Sequence, residues 1–239
     1  MTQMLFADDP YLRRAEAQVV AHTPEGGIVL DQSLFYPTGG GQPGDNGVLR
    51  WGDQSLTIAT AIKGENGAII LVPAEPRALP AVGTVVEQAL DWARRYGHMR
   101  MHTALQFFYV VVTFGVTGGS IGADRSRLDF DMENAPEDRE ALQAELNAHV
   151  TADLSVSEEW ITSAELDANP GMVKTLSVQP PRGAGQIRLV RIGGGTDTVE
   201  LQPCGGTHVA RTGEIGPLRI GKIEKKGRMN RRSYLHLDD

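Results

Sequence analysis

The stretch RRYGHMRMHTALQFFYVVVTF, residues 94–114, decides how the rest of the chain is read. Met101, Leu105, Phe108 and Val112 recur at the spacing of one buried helical face. The run FFYVVVTF is rich in aromatic and β-branched residues, which makes a strand the rival reading. The 3.6-residue period continues unbroken from Met101, so the pattern predicts a helix over 94–114, ended by Gly115 and the Gly118–Gly119 pair. The segments on either side of this helix differ in character.

On the N-terminal side, short alternating runs at 16–21, 27–31, 47–51, 56–63 and 68–72 are separated by Pro, Gly, Asn and Asp. Strands at roughly ten-residue spacing predict a small β-barrel or sandwich. Residues 73–83 carry three prolines and read as a connector into a second domain. On the C-terminal side, 126–132 alternates as a strand, and Asn134 caps a helix with Pro136 in its first turn, running to about Thr151. A strand at 154–162, a short helix at 164–168 and strands at 186–192, 198–202, 215–224 and 232–237 complete the chain. The fold class expected is α+β: a β-rich N-terminal domain over 1–90 and an α+β domain over 91–239.

A chain of 239 residues with 41% hydrophobic and 22% charged residues is long enough to bury a core without covalent staples. The single cysteine, Cys204, excludes an intramolecular disulfide framework and fits a reducing, cytoplasmic compartment. No apolar run approaches the length of a membrane-spanning helix, and the N-terminus lacks the pattern of a signal peptide. The net charge of −7 argues at first against a nucleic-acid partner. Its distribution reverses that argument. Residues 129–167 hold twelve acidic residues and one arginine, whereas 219–232 hold seven Lys/Arg against one Glu. Lys222, Lys225, Lys226, Arg228, Arg231 and Arg232 form a basic run suited to a phosphate backbone, with the acidic segment expected to face away. A solvated face is the plainer reading of the same run.

His98 and His102 lie four apart on the predicted helix, and Gln106 continues their column one turn further. Histidines at this spacing grip a metal with two imidazoles, although ordinary helix-surface histidines have it too. PCGGTH, residues 203–208, joins the only cysteine to His208 through two glycines that allow a tight turn. Cys204 and His208 offer a thiolate and an imidazole, a pair suited to zinc. A buried structural cysteine and a cysteine nucleophile beside a base are the competing readings. His98, His102, Cys204 and His208 together make a donor set for one tetrahedral zinc ion per chain. In FYPTGGGQPGDNG, residues 35–47, three consecutive glycines leave backbone N–H groups open to a ligand, and Thr38 and Gln42 add polar side chains. A plain hairpin loop is the alternative. The stretch has neither the lysine of a phosphate-binding P-loop nor the context of a dinucleotide fingerprint.

Four segments in this order resemble the alanyl-tRNA editing family, free-standing proteins related to the editing domain of alanyl-tRNA synthetase. They are residues 35–47, RRYGHMRMHTAL at 94–105, SRLDFD at 126–131, and CGGTH at 204–208 with the basic continuation to Leu235. The resemblance covers nearly the whole chain, and it implies a medium-length member acting in trans. The family holds zinc with H-x-x-x-H on the helix and C-x-x-x-H in the loop. Aligned on H-T-A, its first histidine falls on His102 and its second on Gln106, a departure, while Cys204 and His208 match directly. Three outcomes stay open: His98, His102, Cys204 and His208 as ligands; His102, Cys204 and His208 with Gln106 or water in the fourth position; or a lost metal. The resemblance implies hydrolysis of the ester joining a wrong amino acid, serine or glycine, to the acceptor end of tRNA(Ala), with Thr38 and Gln42 reaching the aminoacyl group. The competing classes are a degenerate, non-hydrolytic tRNA-binding module and a zinc hydrolase of a small-molecule ester.

Overall fold

In a computed structural model, which describes residues 1–169, 171, 173 and 186–238, the chain divides into two compact units, Met1–Tyr96 and Gly97–Asp239. In the first, β1 (Gln3–Met4) precedes the single-turn α1 (Leu5–Asp8) and pairs in parallel with β4 (Gln32–Ser33). Six strands form an antiparallel closed barrel in the order β2 (Arg14–His22), β3 (Ile28–Leu30), β7 (Ile69–Pro73), β6 (Gln54–Lys63), β5 (Gly47–Trp51), β8 (Val85–Leu90). Period-2 alternation fills it: Val19, Ile28, Leu30, Leu49, Leu56, Ile58, Ile69, Leu71 and Val86 are buried in one core. The closing strand, Val85–Leu90, is the one the sequence reading missed. The proline-rich 73–83 segment leads back into the barrel instead of out of it, and Gln88 among the inward positions blurred the alternation. That buried carboxamide accepts from Leu34 N–H at 3.0 Å and donates to Gln32 C=O at 3.2 Å.

The glycine-rich loop is a tight turn. Gly39 and Gln42 exchange backbone hydrogen bonds at 3.0 Å in both directions, and Gly40 and Gly41 between them have φ of +57° and +81°. Two successive positive φ values are what a primed hairpin turn needs, and glycine adopts them without strain. Below the turn lies a buried ion pair. Asp45 accepts from Arg95 Nε at 2.9 Å and from Tyr36 N–H at 2.7 Å, and both charged side chains are 1% exposed.

The helix α2 (Trp92–Val111) starts two residues before the predicted boundary and ends three before it. Asp91 sets the start, its side chain accepting from Arg94 N–H at 3.2 Å. From Gly97 to Phe108 almost every residue is buried, so the second unit is built around this helix. Gly97 is required by close approach, because a Cβ there would lie 3.0 Å from the Ala123 carbonyl oxygen. One sheet of the second unit has the antiparallel order β14 (Leu218–Gly227), β15 (Asn230–Leu237), β10 (Arg125–Asp131), β9 (Val116–Ser120). The strand β9 contains the glycines read as helix terminators. At Gly119 a Cβ would meet Leu128 Cδ2 at 2.8 Å, so this glycine serves strand packing. A second sheet joins β11 (Val156–Thr162), β12 (Gln186–Ile192) and β13 (Glu200–Pro203).

The helix expected from Asn134 begins later, as α3 (Arg139–Thr151), with Asp138 Oδ1 accepting from Ala141 N–H at 2.8 Å. Pro136 explains the delay, since the residue before a proline is driven out of helical geometry. The short α4 (Ser163–Ala168) opens with a reciprocal capping box between Thr162 and Glu165.

Candidate metal centre

Of the four proposed ligands, the structure brings together His102, Cys204 and His208, with all their donor atoms within 4.8 Å of one another. The Cys204 Sγ lies 3.4 Å from His102 Nε2 and 3.2 Å from His208 Nε2, and the two imidazole rings are 4.5 Å apart. His98 is buried on the preceding turn of α2 and is outside this group. The i,i+4 spacing permits a shared ion, but the loop carrying Cys204 and His208 meets the helix at His102 and not one turn earlier.

Each candidate ligand is held by a distinct feature. His102 rides on the rigid, buried α2. Cys204 comes directly after β13, and its N–H donates to Arg188 C=O at 3.2 Å, continuing the ladder to β12. Arg188 then turns its guanidinium onto the loop, donating through Nη1 to the carbonyls of Cys204 at 2.8 Å and Gly206 at 2.9 Å, with Glu158 bound on its other side. His208 is oriented by Thr103, the helix neighbour of His102. The Thr103 hydroxyl donates to Met99 C=O at 2.9 Å, so its oxygen can only accept from His208 Nδ1–H at 3.2 Å, and it also accepts from Val209 N–H at 3.3 Å. The proton of His208 is therefore on Nδ1, and the bare lone pair of Nε2 faces the sulfur. Neither Thr103 nor Arg188 was singled out from sequence. The H-T-A stretch contains Thr103, but its partner is 105 positions away.

The electrostatics favour neutral imidazoles. Burial, helped by the nearby Arg188 charge, lowers the pKa of His102 to about 3. Burial likewise lowers His208 to about 4, with His102 and Arg188 adding to the effect and Cys204 opposing it. Burial alone would raise the Cys204 thiol. The contacts with His208, the Gly206 N–H and the Arg188 charge outweigh it, and the thiol lies below its ordinary value. Tyr109, further along α2, is pushed upward by burial and by Cys204 and Glu200. Two neutral imidazoles and an acidified thiol are the donor chemistry of a zinc site. Gln106 offers a candidate fourth donor, an amide oxygen. It is 1% exposed, and no donor among the described residues reaches its Oε1. A buried amide oxygen left open one turn from His102 fits a donor awaiting a partner.

In the first unit, Thr38 is exposed, and its Oγ1 accepts from Gly44 N–H at 2.9 Å and donates to Ala61 C=O at 3.3 Å. Gln42 is 0% exposed and lies under the turn. The basic run occupies β14, β15 and the turn between them, and its members differ in freedom. Lys222 and Lys226 share Glu224, whose pKa their hydrogen bonds lower to about 2. Arg231 is 7% exposed and donates to the carbonyls of Gly227, Asn230 and Glu133. Arg232 grips Asp129 with two bonds, at 2.7 and 2.9 Å. The acidic segment therefore does not face wholly away, because the antiparallel register sets Asp129 opposite Arg232. Lys225 and Arg228 are exposed and, among the described residues, form no ion pair.

Residues 187–234 match the threonyl and alanyl tRNA synthetase second additional domain, and residues 11–94 match the class II (A) tRNA synthetases. The alanyl-tRNA editing protein AlaX-M of Methanosarcina acetivorans is 34% identical, with 100% of each chain covered. The alanyl-tRNA editing protein AlaX-L of Pyrococcus horikoshii is 33% identical over 95% of this chain and 56% of that protein. The alanine–tRNA ligase of Pyrobaculum arsenaticum is 34% identical over 94% of this chain and 25% of the ligase.

Proposed function

This chain belongs to the alanyl-tRNA editing protein family, and from that premise we propose that it is a trans-acting deacylase that removes a wrong amino acid, serine above all, from tRNA(Ala) in the cytoplasm. The observation that carries the reading is the convergence of His102, Cys204 and His208, drawn from a helix and a loop 102 positions apart, in a chain whose relatives match it end to end. Chemical need supports it as well. A synthetase pocket for a small side chain discriminates by only about 1–3 kcal/mol per group, so fidelity requires a second hydrolytic site.

In this reading His102, Cys204 and His208 hold one zinc ion, and the Gln106 oxygen or water takes the fourth position. Bound there, zinc supplies Lewis acidity to the ester carbonyl or to the attacking water. Thr103 keeps the His208 proton on Nδ1, and Arg188 keeps the loop carbonyls turned toward itself. Thr38 is the selectivity residue: its hydroxyl meets the seryl hydroxyl, a contact alanine cannot return, while Gln42 supports the turn from beneath. Lys225 and Arg228, with Lys222 and Lys226 beside them, meet the acceptor-stem phosphates; Arg231 and Arg232 brace the strands that carry them.

The test is incubation with Ser-tRNA(Ala) and Ala-tRNA(Ala), monitoring ester loss. Faster loss of the seryl ester is expected, together with one zinc per chain by metal analysis and none in Cys204→Ala. Thr38→Val should raise the alanyl rate relative to the seryl rate, whereas Thr38→Ser should not. Binding of tRNA without ester loss would identify a non-hydrolytic module. Activity indifferent to competing uncharged tRNA would identify a small-molecule esterase.

A further inference from the structure

The three-stranded sheet has two unlike faces. On one, Ile187 and Leu189 pack with Ile161 and Leu201 against Leu166 of α4. The other carries Arg188, whose guanidinium spans Glu158 and the carbonyls of the ligand loop. The register pairs Trp160 with Arg188. Directly opposed residues in an antiparallel pair project to the same face, so Trp160 shares the side that fronts the metal centre. It is nevertheless 54% exposed, a large apolar ring left in water. The other two tryptophans are accounted for: Trp51 packs on the barrel core, and Trp92 stacks on Tyr96 with Arg13 over its ring. Among the described residues Trp160 has no ring or cation partner.

We propose that Trp160 is the stacking platform for the nucleobase at the 3′ end of the substrate, holding the terminal nucleoside while its ester enters the His102–Cys204–His208 centre. The inference rests on the deacylase reading above. Two observations, and one consequence of the deacylase reading, favour a base as the occupant: the exposed indole lies beside Arg188 and Arg188 lies against the ligand loop, while the ester such an enzyme cleaves is carried on the sugar of a terminal nucleoside. A base stacks on an aromatic side chain whatever its identity, which suits a 3′ end common to many tRNAs. Trp160 would bind and position the substrate, with no part in the chemical step.

The experiment has a kinetic and an optical arm. Trp160→Ala should raise KM for Ser-tRNA(Ala) about tenfold or more with little change in kcat, and Trp160→Phe should recover most of the loss. In a Trp51→Phe/Trp92→Phe background, Trp160 fluorescence should be quenched by an acceptor-stem minihelix. A minihelix lacking its 3′-terminal nucleotide should leave it unquenched. Unchanged KM in Trp160→Ala, or equal quenching by both minihelices, overturns the stacking role while leaving the deacylase reading intact. A wild-type chain that neither binds the minihelix nor cleaves the ester overturns both. Dissociation of an oligomer on Trp160→Ala, with KM unchanged, assigns the ring to contact between copies and overturns the proposal.

Discussion

Replacing Thr103 with valine tests whether the metal centre is organised through the tautomer of His208. The two side chains have nearly the same shape, so no cavity opens at a position that is 0% exposed. What disappears is one oxygen that accepts from two buried donors, His208 Nδ1–H at 3.2 Å and Val209 N–H at 3.3 Å. Each abandoned donor costs about 1–3 kcal/mol, and the length of both bonds favours the lower half, so Thr103→Val should destabilise the second unit by roughly 2–4 kcal/mol. Met99 C=O retains its place in the helix ladder and adds little. The larger effect falls on the metal. With Nδ1–H unpartnered, the ring is free to rotate or to move its proton to Nε2, the nitrogen needed for coordination, and loss of such an orienting bond typically lowers affinity about 10–100-fold. Competition with a chromophoric chelator measures that affinity, and urea unfolding of the metal-free protein measures the stability term separately. Nitrogen-15 NMR of wild type should place the ring proton on Nδ1. Thr103→Ser keeps the hydroxyl and should recover most of the zinc affinity while losing about 1 kcal/mol of packing. Zinc affinity within threefold of wild type in Thr103→Val, or a wild-type ring protonated on Nε2, would refute the argument.

Three further outcomes are expected. His102 and His208 are held near pKa 3 and 4, below the ordinary value of 6.5, so between those values the unfolded chain takes up protons that the folded chain refuses. Chelator-treated protein should therefore keep its full stability above about pH 6.5 and lose it as pH falls toward 4, by up to ~1.4 kcal/mol per pH unit for each ring; His102→Gln/His208→Gln should remove that excess slope in urea titrations. If Gln106 Oε1 is the fourth donor, Gln106→His should bind zinc at least about tenfold tighter and Gln106→Leu more weakly, with X-ray absorption counting one nitrogen or oxygen fewer in the leucine variant; equal affinities in all three would remove Gln106 from the centre. Asp45→Asn strands the Arg95 charge in a site where both groups are 1% exposed and should cost the first unit about 3–5 kcal/mol, so a loss below about 1 kcal/mol in urea unfolding would contradict a structural role for the pair.

Local pattern made the barrel strands and α2 readable, because their alternation and 3.6-residue period record which side chains meet the core. Val85–Leu90 escaped because its central inward position is Gln88, a polar residue satisfied by backbone partners over fifty positions away. The start of α3 was misjudged because Asn134 and Asp138 are both good caps, and only the backbone restriction before Pro136 separates them. At the metal centre, spacing identified Cys204 and His208 as a pair and made His98 and His102 equivalent. Only the H-T-A resemblance separated them in sequence, in favour of His102; spacing could not, because their difference lies in where the loop meets the helix. Thr103 and Arg188 were illegible for the same reason. A threonine in a helix and an arginine in a strand are ordinary residues until the register of β12 against β13 brings the loop carbonyls within reach of Arg188.

Among the described residues β14 is an outer strand of its sheet; Asn147, Gln143 and Arg139 of α3 bond its backbone from Leu218 to Gly221, and no described strand pairs with its outer side beyond that. Strands of this kind invite pairing with another molecule, and lysines along them are a common deterrent. Beside the phosphate contact proposed for them, Lys222, Lys225 and Lys226 would also deter this border from becoming a seam between chains. Substitutions that strip the strand of charge to measure RNA affinity would also invite self-association, and apparent loss of binding would then mix the two effects. Sedimentation of each variant, run beside the binding curve, separates them.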